Sequence, residues 1–321
     1  MSAARRGTVL CVGLTTLDVV HHVTEPPRWG GKERSVGGEL LAGGPAANAA
    51  VTAARLLGTA RLLSAIGARP AAAPARADLE AHQVDVIDLA PDGWELPVAS
   101  ALVDVRTGER TVVSPGALGS RGIDGARYSL DGLLDGVGVV LLDGHHPALA
   151  ARVVAEAARA DVPVLLDAGS WKDELDPVLP RVGLAACSAD LRPPGGRRAG
   201  DDPHGVATAL HRRGVPTVLV TDGPRPVAWS KMDGARGTVP VPVVKAVDTL
   251  GAGDVFHGAL AAAFAVHAAD LPGCIDLAVR VAAVRCARLG SRAWLEDPAL
   301  APMVDRLRSP AAAGRPRGAS R

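Results

Sequence analysis

The sequence predicts an α/β fold in three layers: a mostly parallel central sheet covered by helices on both faces, with a small β-sheet standing off it as a lid. Three observations carry this. Short runs that are apolar throughout alternate with segments of helical spacing along most of the chain, which is the pattern of parallel strands buried beneath helices. Residues 31–42 (GKERSVGGELLA) and 98–113 (VASALVDVRTGERTVV) break that rhythm and read as extended. The 321 residues, 48% of them hydrophobic, suffice for one large core.

The elements follow in order. Residues 8–14 (TVLCVGL) are short, β-branched and apolar, a buried strand. Residues 45–57 form a helix, with Pro45 at its start, where a missing N–H costs nothing, and Gly58 at its end. Residues 62–66 are a strand. Residues 98–113 are a hairpin, two alternating strands around Thr107-Gly108. Then come a strand at 137–142, a helix at 148–160, strands at 162–166 and 184–187, a helix at 206–213 and a strand at 217–220. Residues 254–268 and 275–289 are helices. The expected domain spans residues 1–308, with the two lid segments inserted, and the Pro/Gly/Ala/Arg-rich tail at 309–321 is expected to be disordered.

Composition excludes several classes. Aromatic residues make up only 2%, so the core is built from Ala, Val and Leu; the excess of Arg over Lys marks a GC-rich genome. With 35 basic and 34 acidic residues and no block of like charge, nothing marks a nucleic-acid or membrane surface. Cys11, Cys187, Cys274 and Cys286 form no CxxC pair, which argues against a disulfide framework or a structural zinc and for the reducing cytoplasm. The first apolar run stops by Leu14, too short for a signal-peptide core or a span.

Three short stretches carry chemistry. In Asp248-Thr249-Leu250-Gly251-Ala252-Gly253-Asp254, small residues lead into a helix. They let the backbone approach a ligand, and the first-turn N–H groups with the helix dipole favour an anion. Asp254 at the mouth of that cradle is able to orient a hydroxyl and take its proton. Gly43-Gly44-Pro45-Ala46-Ala47-Asn48 is a second helix start, with an amide one turn in that both donates and accepts. Asp18 lies a few residues beyond the first strand, at the edge where open α/β sheets bind ligands. Each alone is also an ordinary junction or cap. The pairs His21-His22 and His145-His146 lack a third ligand at a recognised spacing and read as loop histidines. Gly13-Leu14-Thr15-Thr16 lacks the later glycines of a dinucleotide fingerprint.

Together, in this order, these stretches resemble the PfkB or ribokinase-like carbohydrate kinases over residues 8–300, and Ser188-Ala189-Asp190 is similar to the ketohexokinase and sulfofructose-kinase-like branch. The resemblance implies a ribokinase-like α/β/α fold with a β lid, and transfer of the γ-phosphoryl group of ATP to a small sugar. In that reading Asp254 is the base and Gly251, Ala252 and Gly253 form the anion hole. Asp18, Gly43, Gly44 and Asn48 hold the sugar. Arg106 and Arg110 on the lid hairpin read as solvated, with contact to an anionic group on the substrate as the alternative. Cys187-Ser188-Ala189-Asp190 stands where the family often has Asn-x-x-Glu, so Ser188 and Asp190 face the nucleotide, Asp190 through water on Mg²⁺. Thr221-Asp222-Gly223 resembles the nucleotide turn, with Pro226 in place of its second glycine. Thr249, Cys286 and Gly290 flank the adenine side. The resemblance admits a monovalent cation and a homodimer through the lid. One departure is that Gly67-Ala68-Arg69-Pro70 carries no acid where the family often has one. A nucleoside kinase on the same fold and a non-catalytic sugar or nucleotide sensor are the alternatives.

Overall fold

The computed structural model describes residues 7–115, 123 and 128–309. The chain opens with β1 (Thr8–Val12), β2 (Thr16–Val23), β3 (Gly37–Gly43), α1 (Pro45–Leu57), β4 (Ala60–Ser64), α2 (Ala72–Ala81) and β5 (Val84–Asp88). It continues with β6 (Val98–Asp104), β7 (Arg110–Val113), β8 (Val137–Leu142), α3 (Pro147–Arg159), β9 (Val164–Ala168), β10 (Leu184–Ser188) and α4 (Pro203–His211). The last elements are β11 (Thr217–Asp222), β12 (Arg225–Lys231), β13 (Arg236–Val239), α5 (Ala252–His267), α6 (Leu271–Cys286) and α7 (Ala301–Arg308).

Nine strands form the central sheet in the order β13-β12-β11-β10-β9-β8-β1-β4-β5. It is parallel from β5 to β11 and antiparallel at the β12–β13 edge. Burial on both faces explains why its inner strands read as unbroken apolar runs. In β1, Val9 and Cys11 join the core under α1, α5 and α6, while Leu10 and Val12 join the core under α3 and α4. The scarcity of aromatics has a structural result: α1 and α5 meet through alanines, and a Cβ on Gly258 would lie 2.8 Å from both Ala49 Cα and Thr52 Cβ. The two helices that bear Asn48 and Asp254 are therefore in backbone contact.

The second sheet has the order β3-β2-β6-β7. Its inner face buries Val20, Leu41, Ala101 and Val103, against which Leu250 packs. Its outer face carries the cross-strand row Leu40, Val19, Ser100, Val113. The structure corrects the expected lid in two ways. Of residues 31–42, only those from Gly37 onward are in a strand, and β2, with His21 and His22 in it, is a lid strand and not the loop expected around those histidines. Asp18 thus sits within β2, paired with Leu41 of β3 and Ala99 of β6. The strand expected at 162–166 begins at Val164, after Pro163, which has no N–H to donate to the ladder. α2, β5, β12 and β13 are additional to the elements that the sequence predicts; β13 is the short edge strand, β12 beside it interleaves Pro226, Val227, Ala228 and Trp229 with polar ends, and α2 buries only Ala72, Ala75 and Leu79. The tail from residue 310 lies outside the described residues. Among those described, no helix is long and apolar enough to cross a membrane.

Candidate active site

The carboxyl ends of β1, β8, β9 and β10, the starts of α1 and α5, and the inner face of the lid converge on one cleft. Buried Asp143, just past β8, pins its floor. Its carboxylate accepts from Leu14 N at 2.8 Å, Ala46 N at 3.2 Å and His145 N at 2.9 Å. Joining the end of β1 to the first turn of α1 fixes the approach to Gly43 and Gly44. Gly44 has φ +91°, a conformation that costs a glycine nothing, and precedes Pro45. A Cβ on Gly43 would collide with the Asp18 carboxylate, so its bareness is what lets Asp18 lie across this turn. Asp18 accepts from Thr16 Oγ1 at 2.5 Å. Burial raises its pKa above the usual carboxylate range, while the Thr16 bond and the Arg292 charge partly oppose that.

The loop 248–253 enters α5 through Gly251 at φ +70°, and no side chain caps this helix. The first-turn N–H groups of an uncapped helix are available to an anion. Gly253 is exposed, and a Cβ placed on it would meet nothing within 4 Å, so a phosphoryl group has room here. Asp254 follows. Its Oδ2 accepts from Asn48 Nδ2 at 2.8 Å, while Asn48 Oδ1 accepts from Arg292 Nη1 at 3.0 Å. Arg292 is itself held by Asp78 Oδ2 at 2.9 Å and by the Ala42 carbonyl at 2.7 Å. An amide flanked by a guanidinium and a carboxylate has only one workable orientation, so Arg292 decides that Asn48 turns its NH₂ toward Asp254.

Burial lifts the Asp254 pKa to about 7, and the nearby Asp167 carboxylate adds to the rise; the Asn48 bond and His257 work against it, and Asp18 adds a little more. His257, one turn along α5, is buried with Nδ1 3.0 Å from Asp167 Oδ2 at the end of β9. Burial alone would lower the imidazole pKa, but Asp167 outweighs it and raises it.

The structure brings Asp254, Gly251, Asn48, Asp18, Gly43 and Gly44 into one constellation. Thr249, Cys286 and Gly290 form the wall beside it. Thr249 Oγ1 donates to the Gly108 carbonyl at 2.8 Å, Val247 N to the Cys286 carbonyl at 2.8 Å, and Gly290 N to Asp248 Oδ2 at 3.1 Å. Ser188 and Thr221 are register partners at the ends of β10 and β11, two and three strands from β8. Asp190 is largely exposed and pairs with Arg198; Asp222, between Thr221 and Gly223, pairs with Arg225. On the lid hairpin, Arg106 lies 3.5 Å from Asp104 Oδ2 and is mostly exposed, whereas Arg110 Nη1 donates to Thr249 Oγ1 at 3.1 Å and is the arginine that reaches the loop before α5. No acid follows Gly67; instead Asp88 at the end of β5 ties this turn down, accepting from Ile66 N at 2.9 Å and Gly67 N at 3.0 Å and pairing with Arg76. Cys187 is fully buried, and burial holds its thiol far above the ordinary range, which suits a packed residue and not a nucleophile. Among the described residues, no three His, Cys, Asp or Glu side chains are grouped to hold a metal.

Sequence reasoning missed Asp143, Asp167, His257, Arg285 and Arg292. Only His257, on the same helix as Asp254, carried a local signal.

The profile described as pfkB family carbohydrate kinase matches residues 6–298. Among solved structures, a chain from Agrobacterium tumefaciens provisionally described as a ribokinase is 26% identical, with TM-score 0.78, covering 94% of this chain and 98% of that one. The Arabidopsis thaliana ribokinase complexed with ribose and ATP is 20% identical, with TM-score 0.71 and coverage of 93% and 98%. The fructokinase from Xylella fastidiosa with bound ATP is 20% identical, with TM-score 0.69 and coverage of 90% and 95%. At that identity the last two likenesses are of fold.

Proposed function

Because the chain belongs to the pfkB family of carbohydrate kinases, we propose that it transfers the γ-phosphoryl group of ATP to a hydroxyl of a small ketose or furanose sugar, with Asp254 as general base. The observation that carries this is the meeting of a carboxylate of pKa about 7 with the uncapped, glycine-led start of α5. A base with a pKa near neutrality combines a useful ionised fraction with real proton affinity. The first-turn N–H groups at Gly251, Ala252 and Gly253 would hold charge developing on the transferred group. Asp18, Gly43, Gly44 and Asn48 would hold the sugar from the lid side, and Asn48, oriented by Arg292, keeps one N–H for a substrate oxygen after its bond to Asp254. Ser188, Thr221, Gly223, Thr249, Cys286 and Gly290 would line the nucleotide.

Magnesium, when bound with ATP, would neutralise phosphate charge. Mg²⁺ keeps several waters and leans on substrate phosphates, so exposed Asp190, acting through water, fits it without a protein cage. Arg106 and Arg110 on the hairpin, of which Arg110 reaches Thr249, support an anionic sugar derivative as an acceptor. Ribose in the Arabidopsis structure supports the furanose reading. Leu40, Val98 and Val113 stand 53%, 45% and 69% exposed on the outer face of the lid, which supports a homodimer formed lid to lid. Four unpaired cysteines support a cytoplasmic site of action.

The test is an ATP-consumption screen over sugars, sugar phosphates and nucleosides, with magnesium and with chelator. We expect a ketose or furanose to be best, and turnover to vanish in chelator. Asp254→Asn should lower kcat by about 10²–10⁴ with KM values little changed, the size of a lost acid–base group. A nucleoside that wins by a wide margin would move the acceptor class. No turnover with any acceptor would favour a sensor, and a Asn variant retaining most of parental kcat would remove Asp254 from the base role.

A further inference from the structure

The loop that leads into α5 begins with Asp248, which is fully buried, and so is Arg285 in the last turn of α6. Both oxygens of Asp248 are engaged. Oδ1 accepts from Leu250 N at 2.9 Å; Oδ2 accepts from Gly290 N at 3.1 Å and from Arg285 Nη2 at 2.9 Å. Arg285 Nη1 donates to the backbone carbonyls of Asp248 at 3.3 Å and Arg288 at 3.0 Å. Two carbonyls and a carboxylate, drawn from two separate chain segments, thus converge on one positive charge. Such an oxygen cluster is what a bare cation from solution would seek, because it replaces the ion's hydration shell. The negative end of the α6 dipole favours a cation at the same place. Here a side chain fills it.

We infer that the Arg285 guanidinium is a cation built into the fold, holding the anion-binding loop in its working shape in place of a monovalent ion from solution. The inference rests on the kinase reading of residues 249–254. Arg285 is a positioning residue that acts through Asp248, whose Oδ1 fixes Leu250 N one residue before Gly251. The monovalent cation that the family resemblance admits therefore does not fit at this cluster: its oxygens are already taken by the guanidinium. The same logic says what removal of the side chain does. Arg285→Ala leaves the buried Asp248 carboxylate and the two carbonyls around a cavity, and a small cation from solution then has both a charge to neutralise and oxygens to bind.

Melting temperature and kcat, each in potassium chloride and in tetramethylammonium chloride at equal ionic strength, test this. For the parent we expect the same values in both salts. For Arg285→Ala we expect a lower melting temperature and a lower kcat in tetramethylammonium. Potassium or millimolar guanidinium should raise its melting temperature by about 2–4 °C and restore part of kcat. A parent stabilised or stimulated several-fold by potassium would overturn the inference. So would a folded Arg285→Ala protein that melts alike in all three salts. The parent arm needs no variant, so a failure of Arg285→Ala to fold does not shield the idea. The melting arm needs no acceptor sugar, so it stands or falls apart from the proposed reaction.

Discussion

Asp254 does not have the pKa of an ordinary carboxylate, and its neighbours explain why in opposite senses. Burial and Asp167 push it up to about 7; Asn48 and His257 pull it down. As an acid whose folded pKa lies above its unfolded one, it contributes stability that is complete below the ordinary carboxylate range and is lost as pH rises through about 7. With Asp254 as the proposed base, activity would run the other way, because only the ionised form accepts a proton. We therefore expect kcat/KM to rise with pH along an acid limb near 7 in the free enzyme. The pair His257 and Asp167 gives that limb two handles. Asp167→Asn removes a negative charge and should move the limb to lower pH. His257→Gln leaves Asp167 uncompensated and should move it to higher pH. Full pH–rate profiles of the two variants check this, and shifts in the same direction would dismiss the electrostatic account. Of the two handles, only His257, a helical turn beyond Asp254, leaves a local signal in the sequence. Asp254 announced itself because a glycine-led helix start is a local pattern. Asp167 is a lone acid at the end of an apolar strand, and Arg292 is 244 residues from the Asn48 it orients. Spacing carries no trace of a pairing made only by the tertiary fold.

Helices α1 and α5 set the distance between Asn48 and Asp254, and Gly258 sets the distance between the helices. Ala in place of Gly inside a helix normally stabilises by about 1 kcal/mol. At Gly258 the added methyl would meet the backbone of Ala49 and Thr52 Cβ, so overpacking reverses the sign. We expect Gly258→Ala to destabilise by about 1–3 kcal/mol and to lower kcat as the Asn48–Asp254 bond lengthens. A denaturant titration beside a steady-state assay measures both, and a stabilised variant would mean that the helices part without cost. At this scale the sequence was generous where elements are punctuated. Pro45 and Gly58 marked α1, and the alternation around Thr107-Gly108 marked the lid hairpin. It was silent on β2, where Thr16–Val23 mixes apolar residues with Asp18, His21 and His22. That strand draws its partners from β3 and β6, so its pattern made sense only once the lid was assembled.

In the whole molecule, the lid and the loops at residues 248–251 and 290–291 are stitched together. The hairpin turn accepts Thr249 N and Oγ1 at the Gly108 carbonyl, and Arg110 grips the same threonine. Glu39 of β3 accepts from Ser291 N at 2.9 Å and Ser291 Oγ at 2.8 Å, next to Gly290. The strands that carry Asp18 and Gly43, the proposed sugar side, are thus tied to the loops proposed to face the nucleotide. If filling either half stiffens or shifts these ties, the two occupancies share a free energy. Linkage then makes the effect reciprocal: the factor by which sugar tightens a nonhydrolysable ATP analogue must equal the factor by which the analogue tightens sugar. We expect that factor to be about fivefold or more and to fall toward unity in Thr249→Val, which loses the hydroxyl that bonds Gly108 and Arg110. Calorimetric titration around the closed cycle reads it directly, and a factor of one in the parent would show the two halves to be independent. On the proposed reaction, a kinase joined in this way would resist idle hydrolysis without a separate guard, because water arriving in place of a sugar would bring none of the binding free energy that sets the loop at residues 248–253.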